Sequence, residues 1–224
     1  MARNVRAVFD NIRQAALRTG RRPEAVRLIA ATKTVAPDLV RSAIEAGVHL
    51  LGESRLQEAL PKIEAVGDCQ GIAWHFIGRL QRRKVKAVVG RFQMIHSVDS
   101  LDLAAEINRR AAEAGLVQAV LMEVNIGEEA TKGGLAPAAV AEAVAAIKDL
   151  PNLSVQGLMA VPPLATDPEA ARPYFRRLRE LVLSLPYEDV KELSMGMSQD
   201  YAVAVEEGAT MVRVGTAIFG ARRG

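Results

Sequence analysis

Lys33, Ser198, Arg213, Gly215 and Thr216 have the types and placing that could capture a phosphorylated aldehyde covalently. Lys33 ends the apolar run Leu28-Ile29-Ala30-Ala31-Thr32, so a primary amine emerges from what reads as a buried strand. A desolvated lysine loses part of its preference for the charged form, and the neutral amine can condense with an aldehyde to a Schiff base. A strand-end lysine that simply reaches into water is the plain alternative. Near the other end, Ser194-Met195-Gly196-Met197-Ser198 leads directly into a helical pattern over 199–207. That placing makes Ser198 an N-cap with unpaired backbone N–H groups beside it. Val214-Gly215-Thr216-Ala217 repeats the arrangement, with a glycine that permits close approach and a hydroxyl that can donate. Ordinary glycine turns with a serine cap would read the same way. Arg213 sits inside the run Met211-Val212-Arg213-Val214, where an unpaired guanidinium is costly. It should therefore meet a phosphate, a ring nitrogen, or a carboxylate such as Glu53 or Glu123.

The elements that must position these residues show in the alternation of short apolar runs with longer amphipathic stretches. After a helical pattern over 5–18 come apolar runs at 28–32, 48–52, 73–77, 94–98, 119–124, 154–160, 192–195 and 210–214. Residues 36–46, 101–114, 137–148, 168–183 and 199–207 read as helices between them. Gly47, Gly115 and Gly208 stand where left-handed residues would end helices. Strands alternating with helices predict an α/β fold, a single (β/α)8 TIM barrel with an extra N-terminal helix, spanning 1–224 as one domain. A doubly wound open sheet is the alternative, but Lys33-Thr34-Val35-Ala36-Pro37 stands where its glycine fingerprint would follow the first strand. In a barrel the strand ends carry the chemistry, so Lys33 shares a face with the loops after strands seven and eight, a recurrent phosphate site. His75 and His96, inside runs three and four, read as packed, hydrogen-bonded core residues.

Composition excludes other classes. The single Cys69 has no partner for a disulfide or a metal site and reads as a loop residue in a reducing compartment. A formal charge of +3 predicts no polyanionic partner. The densest basic run, Arg79-Leu80-Gln81-Arg82-Arg83-Lys84-Val85-Lys86, interleaves apolar residues at helical spacing and reads as a solvated helix face rather than a nucleic-acid surface. No run of 18 apolar residues and no signal segment is visible, so no membrane association and a cytoplasmic location are expected.

A strand-one amine, an anion cradle after strands seven and eight and no metal ligands suggest pyridoxal 5′-phosphate (PLP). A Schiff-base aldolase acting on a sugar phosphate is the alternative, though no acid/base pair can be placed for it. The strings Leu28-Ile29-Ala30-Ala31-Thr32-Lys33, Trp74-His75-Phe76-Ile77-Gly78-Arg79-Leu80-Gln81, Gly157-Leu158-Met159-Ala160, Leu193-Ser194-Met195-Gly196-Met197-Ser198 and Val212-Arg213-Val214-Gly215-Thr216-Ala217-Ile218-Phe219-Gly220 resemble the YggS/PROSC family of pyridoxal phosphate homeostasis proteins. The match runs in the same order across essentially the whole chain.

That resemblance implies an alanine racemase N-terminal-domain-like barrel (PLP fold type III), with the cofactor held as an internal aldimine on Lys33. It implies that Ser198, Gly215 and Thr216 hold the phosphate and that Arg213 contacts the phosphate or the pyridine nitrogen. The chain departs from the family's usual Gly-Glu-Asn after strand two, showing Gly52-Glu53-Ser54. Lys132, in the loop 125–134, stands as a second amine near the mouth without an assigned role. The implied function is a PLP carrier in cofactor homeostasis, supplying PLP-dependent apo-enzymes without catalytic turnover. Racemases of the related fold bring a tyrosine from a second domain, and eight βα units leave no room for one here. A minimal PLP-dependent amino-acid racemase is the alternative, and a monomer is expected.

Overall fold

Eight parallel strands close into a barrel in sequence order, from β1 through β8 and back to β1. The computed structural model describes residues 1–67 and 69–220. The strands are β1 (Arg27–Ala31), β2 (Leu50–Glu53), β3 (Ala73–Phe76), β4 (Met94–Val98), β5 (Gln118–Val124), β6 (Leu153–Ala160), β7 (Glu192–Ser194) and β8 (Met211–Val214). Each of the eight predicted apolar runs is a strand, with ends displaced by two residues at most. The helices are α1 (Ala2–Arg18), α2 (Pro37–Glu45), α3 (Leu56–Val66), α4 (Leu101–Glu113), α5 (Val140–Lys148), α6 (Arg172–Ser184), α7 (Tyr201–Glu206) and α8 (Thr216–Phe219). No helix among the described residues is long and apolar enough to cross a membrane.

The connection from β3 to β4 departs from the sequence expectation. The basic run forms a 3-10 helix, Arg82–Ala87, rather than an α-helix. Val85 and Val88 are buried against the barrel while Arg82 and Arg83 face outward, so the solvated-face reading holds although the helix type does not. Gly47, Gly115 and Gly208 have φ of 99°, 66° and 108°, the left-handed geometry expected of helix ends.

α1 buries Val5, Val8, Ile12, Ala15 and Ala16, a spacing that lines up one helical face. That face packs on the outside of the barrel beside α7 and α8, and Asn11 Nδ2 donates to the Tyr201 hydroxyl at 2.9 Å.

The core divides into two clusters, as the pleat requires: successive side chains of a strand point alternately toward the helices and into the barrel. The inner cluster is Ile29, Met94, Leu121, Met159 and Met211. Met94 and Met211 lie two residues before His96 and Arg213, so alternation carries those polar side chains into the barrel above the methionines.

Candidate functional site

The carboxyl end of β1 presents Lys33. Leu28, Ile29 and Ala30 are buried, but Lys33 is exposed, so the desolvated amine expected from sequence is not what the structure supplies. The strand stops at Ala31; Thr32 stays fully buried, and the chain turns outward toward water only at Lys33. Thr34 then takes φ of 64°, a left-handed conformation that strains a β-branched residue. Its N–H donates to Glu58 Oε2 at 3.0 Å, and Val35 N–H donates to the Thr32 carbonyl at 3.0 Å.

Beneath this turn lies a buried ion pair the sequence reading did not anticipate. Lys62 Nζ is 2.6 Å from Glu53 Oε1, and Thr32 Oγ donates to the same oxygen at 2.7 Å. The signal was present: Lys62 falls on the helical face of α3 that buries Leu56, Ala59 and Val66. Glu53 is thus committed to Lys62 and is not the partner of Arg213.

Ser198 is not the N-cap of α7. That helix begins after Asp200, because Asp200 Oδ1 takes the Met197 N–H at 2.6 Å and the segment 197–200 closes as a turn. Ser198 Oγ instead accepts from the N–H groups of Gly215 and Ala217, at 3.1 and 3.3 Å. It therefore joins the loop after β7 to the start of α8. A Cβ at Gly215 would lie 3.3 Å from the Ala31 carbonyl oxygen, a tight approach that keeps the β8 loop against the end of β1.

Arg213 is 5% exposed. Its Nη1 donates to Ser194 Oγ at 2.6 Å and its Nη2 to the Ala160 carbonyl at 3.0 Å. Among the described residues no carboxylate lies within ion-pair distance of it. Burial pulls its pKa down to about 10, opposed by the longer-range charges of Glu123 and Asp200. The guanidinium still carries its charge at neutral pH. Burial raises the carboxyls of Glu123 and Asp200 above their usual range, with Asp99 adding to the effect at Glu123.

Lys33, Ser198, Arg213, Gly215 and Thr216 all line one cavity of about 220 Å³ at the carboxyl ends of β1, β7 and β8. Its far wall is the loop after β6, from Pro162 to Ala171, and Asp200 borders it too. From sequence, Pro162-Pro163 stood among the strand-end candidates without a role and Asp200 was not singled out, since a β6 loop facing strand one is a product of barrel closure. A buried cation without a carboxylate, an exposed amine and two loops bearing hydroxyl and N–H donors suit a ligand carrying both an aldehyde and an anion.

The remaining candidates sit apart. Lys132 lines a second cavity of about 240 Å³ with Arg79, Glu123 and Asn125. Its Nζ is held by Glu129 Oε1 at 2.6 Å and the Pro162 carbonyl at 3.2 Å. Ser54 is half-buried past the end of β2, so close to the β3 loop that a Cβ at Gly78 would fall 2.3 Å from its carbonyl oxygen. His75 and His96 are buried and hydrogen-bonded to each other at 2.9 Å, as expected of core histidines. Cys69 lies in a loop, and among the described residues no group of three or more His, Cys, Asp or Glu could hold a metal ion.

Residues 4–223 match the model of the family described as alanine racemase, N-terminal domain. A pyridoxal phosphate homeostasis protein of Aquifex aeolicus is 48% identical over 96% of each chain. PipY of Synechococcus elongatus PCC7942, solved with PLP bound, is 36% identical, with a TM-score of 0.81 over 94% of this chain and 99% of that one. Alanine racemase of Clostridium difficile 630 shares the fold at 17% identity and a TM-score of 0.70, over 99% of this chain and 57% of that one. The arrangement of Lys33 beside the β7 and β8 loops thus sits in a chain that belongs to the alanine racemase N-terminal-domain family and, within it, to the pyridoxal phosphate homeostasis proteins.

Proposed function

We propose that this protein binds PLP through Lys33 and acts in cytoplasmic PLP homeostasis, holding the reactive aldehyde and supplying it to PLP-dependent apo-enzymes. The observation that carries the reading is the single cavity shared by Lys33, Ser198, Arg213, Gly215 and Thr216. Relatives bearing the homeostasis name, and PipY with its bound PLP, support it. The bound cofactor supplies an aldehyde that links reversibly to a primary amine. Lys33 provides that amine from the rim of the barrel, where exposure lets the cofactor enter and leave. Ser198, Gly215 and Thr216 hold the phosphate at the joined loops after β7 and β8. Arg213, with two of its N–H groups held from below, offers the others to the ring nitrogen or the phosphate.

The reading takes 1–224 as one barrel domain working as a monomer, without catalytic turnover. Carrier function needs no acid/base group opposite Lys33, whereas a racemase would. Incubation of PLP-loaded protein with amino acids in deuterated water should give no α-hydrogen exchange, and exchange would favour the racemase.

The direct test is incubation with PLP, borohydride reduction and peptide mapping. A visible absorption band and a reduced adduct on Lys33, both lost in Lys33→Ala, are expected. Wild-type protein with neither band nor lysine adduct overturns the reading.

A further inference from the structure

A chain of hydrogen-bonded side chains crosses the barrel interior beneath Arg213. Arg213 Nη1 lies 2.6 Å from Ser194 Oγ, Ser194 Oγ 2.9 Å from His96 Nδ1, His96 Nε2 2.9 Å from His75 Nδ1, and His75 Nε2 3.2 Å from Gln93 Oε1. Ser194, His96 and His75 are 0%, 0% and 1% exposed, while Gln93, just before β4, is exposed at the amino end of the barrel. The chain thus connects that end to the Lys33 cavity.

Its sense is fixed from the top. A guanidinium can only donate, so Ser194 Oγ accepts from Arg213. A buried hydroxyl hydrogen needs an acceptor, and His96 Nδ1 is the one within reach, so that nitrogen is unprotonated. His96 must then carry its proton on Nε2 and donate to His75 Nδ1. His75 in turn carries its proton on Nε2 and donates to Gln93 Oε1. Every donor points away from the cavity.

We infer that Ser194, His96 and His75 are positioning residues for Arg213, a fixed-sense chain that holds its guanidinium at the floor of the Lys33 cavity. This rests on the reading above insofar as Arg213 faces the cofactor. Proton conduction is a different role and does not fit. Passing a proton upward would require every link to reverse, and the terminal arginine has no lone pair to accept one. The two histidines are suited to static duty, since burial in the barrel disfavours their charged forms.

The Ala160 carbonyl fixes the second terminal nitrogen of Arg213, so Ser194 is the link whose loss would free the guanidinium to rotate. The imidazole of His96 can be divided into its two links by substitution. In His96→Asn the shorter amide can present an acceptor where Nδ1 stands, keeping the bond to Ser194. In His96→Gln the longer amide can present a donor where Nε2 stands, keeping only the bond to His75. A merely structural loss would not distinguish the two.

The first experiment is nitrogen-15 NMR of the imidazole rings in PLP-free wild-type protein near neutral pH. Both rings neutral with the proton on Nε2 is the expected result, and a proton on Nδ1 of either ring overturns the inference whether or not PLP binds. The second is PLP titration with the absorption maximum of the complex recorded. Ser194→Ala and His96→Gln should weaken binding about tenfold and shift the maximum, with His96→Asn staying within about threefold of wild type. Equal effects of the two His96 variants, or an unshifted Ser194→Ala complex, overturn the inference. Absence of any wild-type PLP complex sinks the proposed function instead and leaves the tautomer result to decide the chain.

Discussion

Lys62 reaches from α3 to Glu53 at the end of β2, placing its Nζ 2.6 Å from Oε1 and 2.5 Å from the Thr32 carbonyl oxygen. Both side chains are almost wholly buried, and Glu53 Oε2 has no partner among the described residues. The pair grips the backbone one residue before Lys33, so the amine leaves a fixed point on the barrel rim.

Lys62→Met removes the cation and leaves the Glu53 carboxylate buried without compensation. Such a loss costs about 3–5 kcal/mol. The urea midpoint of the variant should fall accordingly, and the double variant Lys62→Met, Glu53→Gln should recover part of the loss. A single variant melting with wild type would mean that the Lys62–Glu53 contact contributes nothing to stability.

Ser198→Ala deletes the hydroxyl that takes the Gly215 and Ala217 N–H groups. If the joined loops hold a phosphate, PLP affinity should fall about tenfold, the worth of one good hydrogen bond. Pyridoxal, which lacks the phosphate, should bind wild type and variant alike. Equal losses for both ligands would place Ser198 outside the phosphate site.

Thr34 holds φ of 64° immediately after Lys33. A left-handed conformation costs an ordinary residue about 1–2 kcal/mol, and glycine escapes it at an entropic cost of about 0.5–1 kcal/mol. Thr34→Gly should therefore be neutral or stabilising by up to about 1 kcal/mol in denaturant melts. It should also loosen the turn that aims Lys33, slowing borohydride-trappable adduct formation with PLP. A marked loss of stability would show that the threonine side chain, rather than its backbone, matters.

The eight strands were legible in the sequence because parallel strands buried on both faces read as continuous apolar runs. The grouping of Lys33 with Ser198 and Gly215 followed from strand order alone. What eluded the sequence depends on contacts between distant segments. Ser198 looked like the cap of the helix that follows it, yet α7 starts only after Asp200 and the Ser198 hydroxyl serves the start of α8. Lys62 was hidden by its type: a lysine reads as surface, although its helical phase with Leu56, Ala59 and Val66 marks the buried face. His75 and His96 were legible as core, but their order beneath Arg213 comes from the barrel stagger, which no single strand encodes.

That buried pair makes stability depend on pH. Burial lowers the His75 pKa from its usual value near 6.5 to about 4, and His96 is held well below its usual value by burial and by His75 and Arg213. Arg27 and Glu192, ion-paired at the amino end of the barrel, act on His75 in opposite senses. In the unfolded chain both rings take up a proton as pH falls through about 6.5. In the folded protein they remain neutral there, so the unfolded state binds more protons and stability drops with falling pH. For His75 the loss starts below about 6.5, is complete near pH 4, and is on the order of 3 kcal/mol. Urea midpoints should therefore fall between about pH 7.5 and about pH 5, above the range in which most carboxylates titrate. In His75→Gln the difference between those two midpoints should shrink, since an amide side chain cannot take the proton. An undiminished slope in that variant would assign the acid sensitivity to other groups.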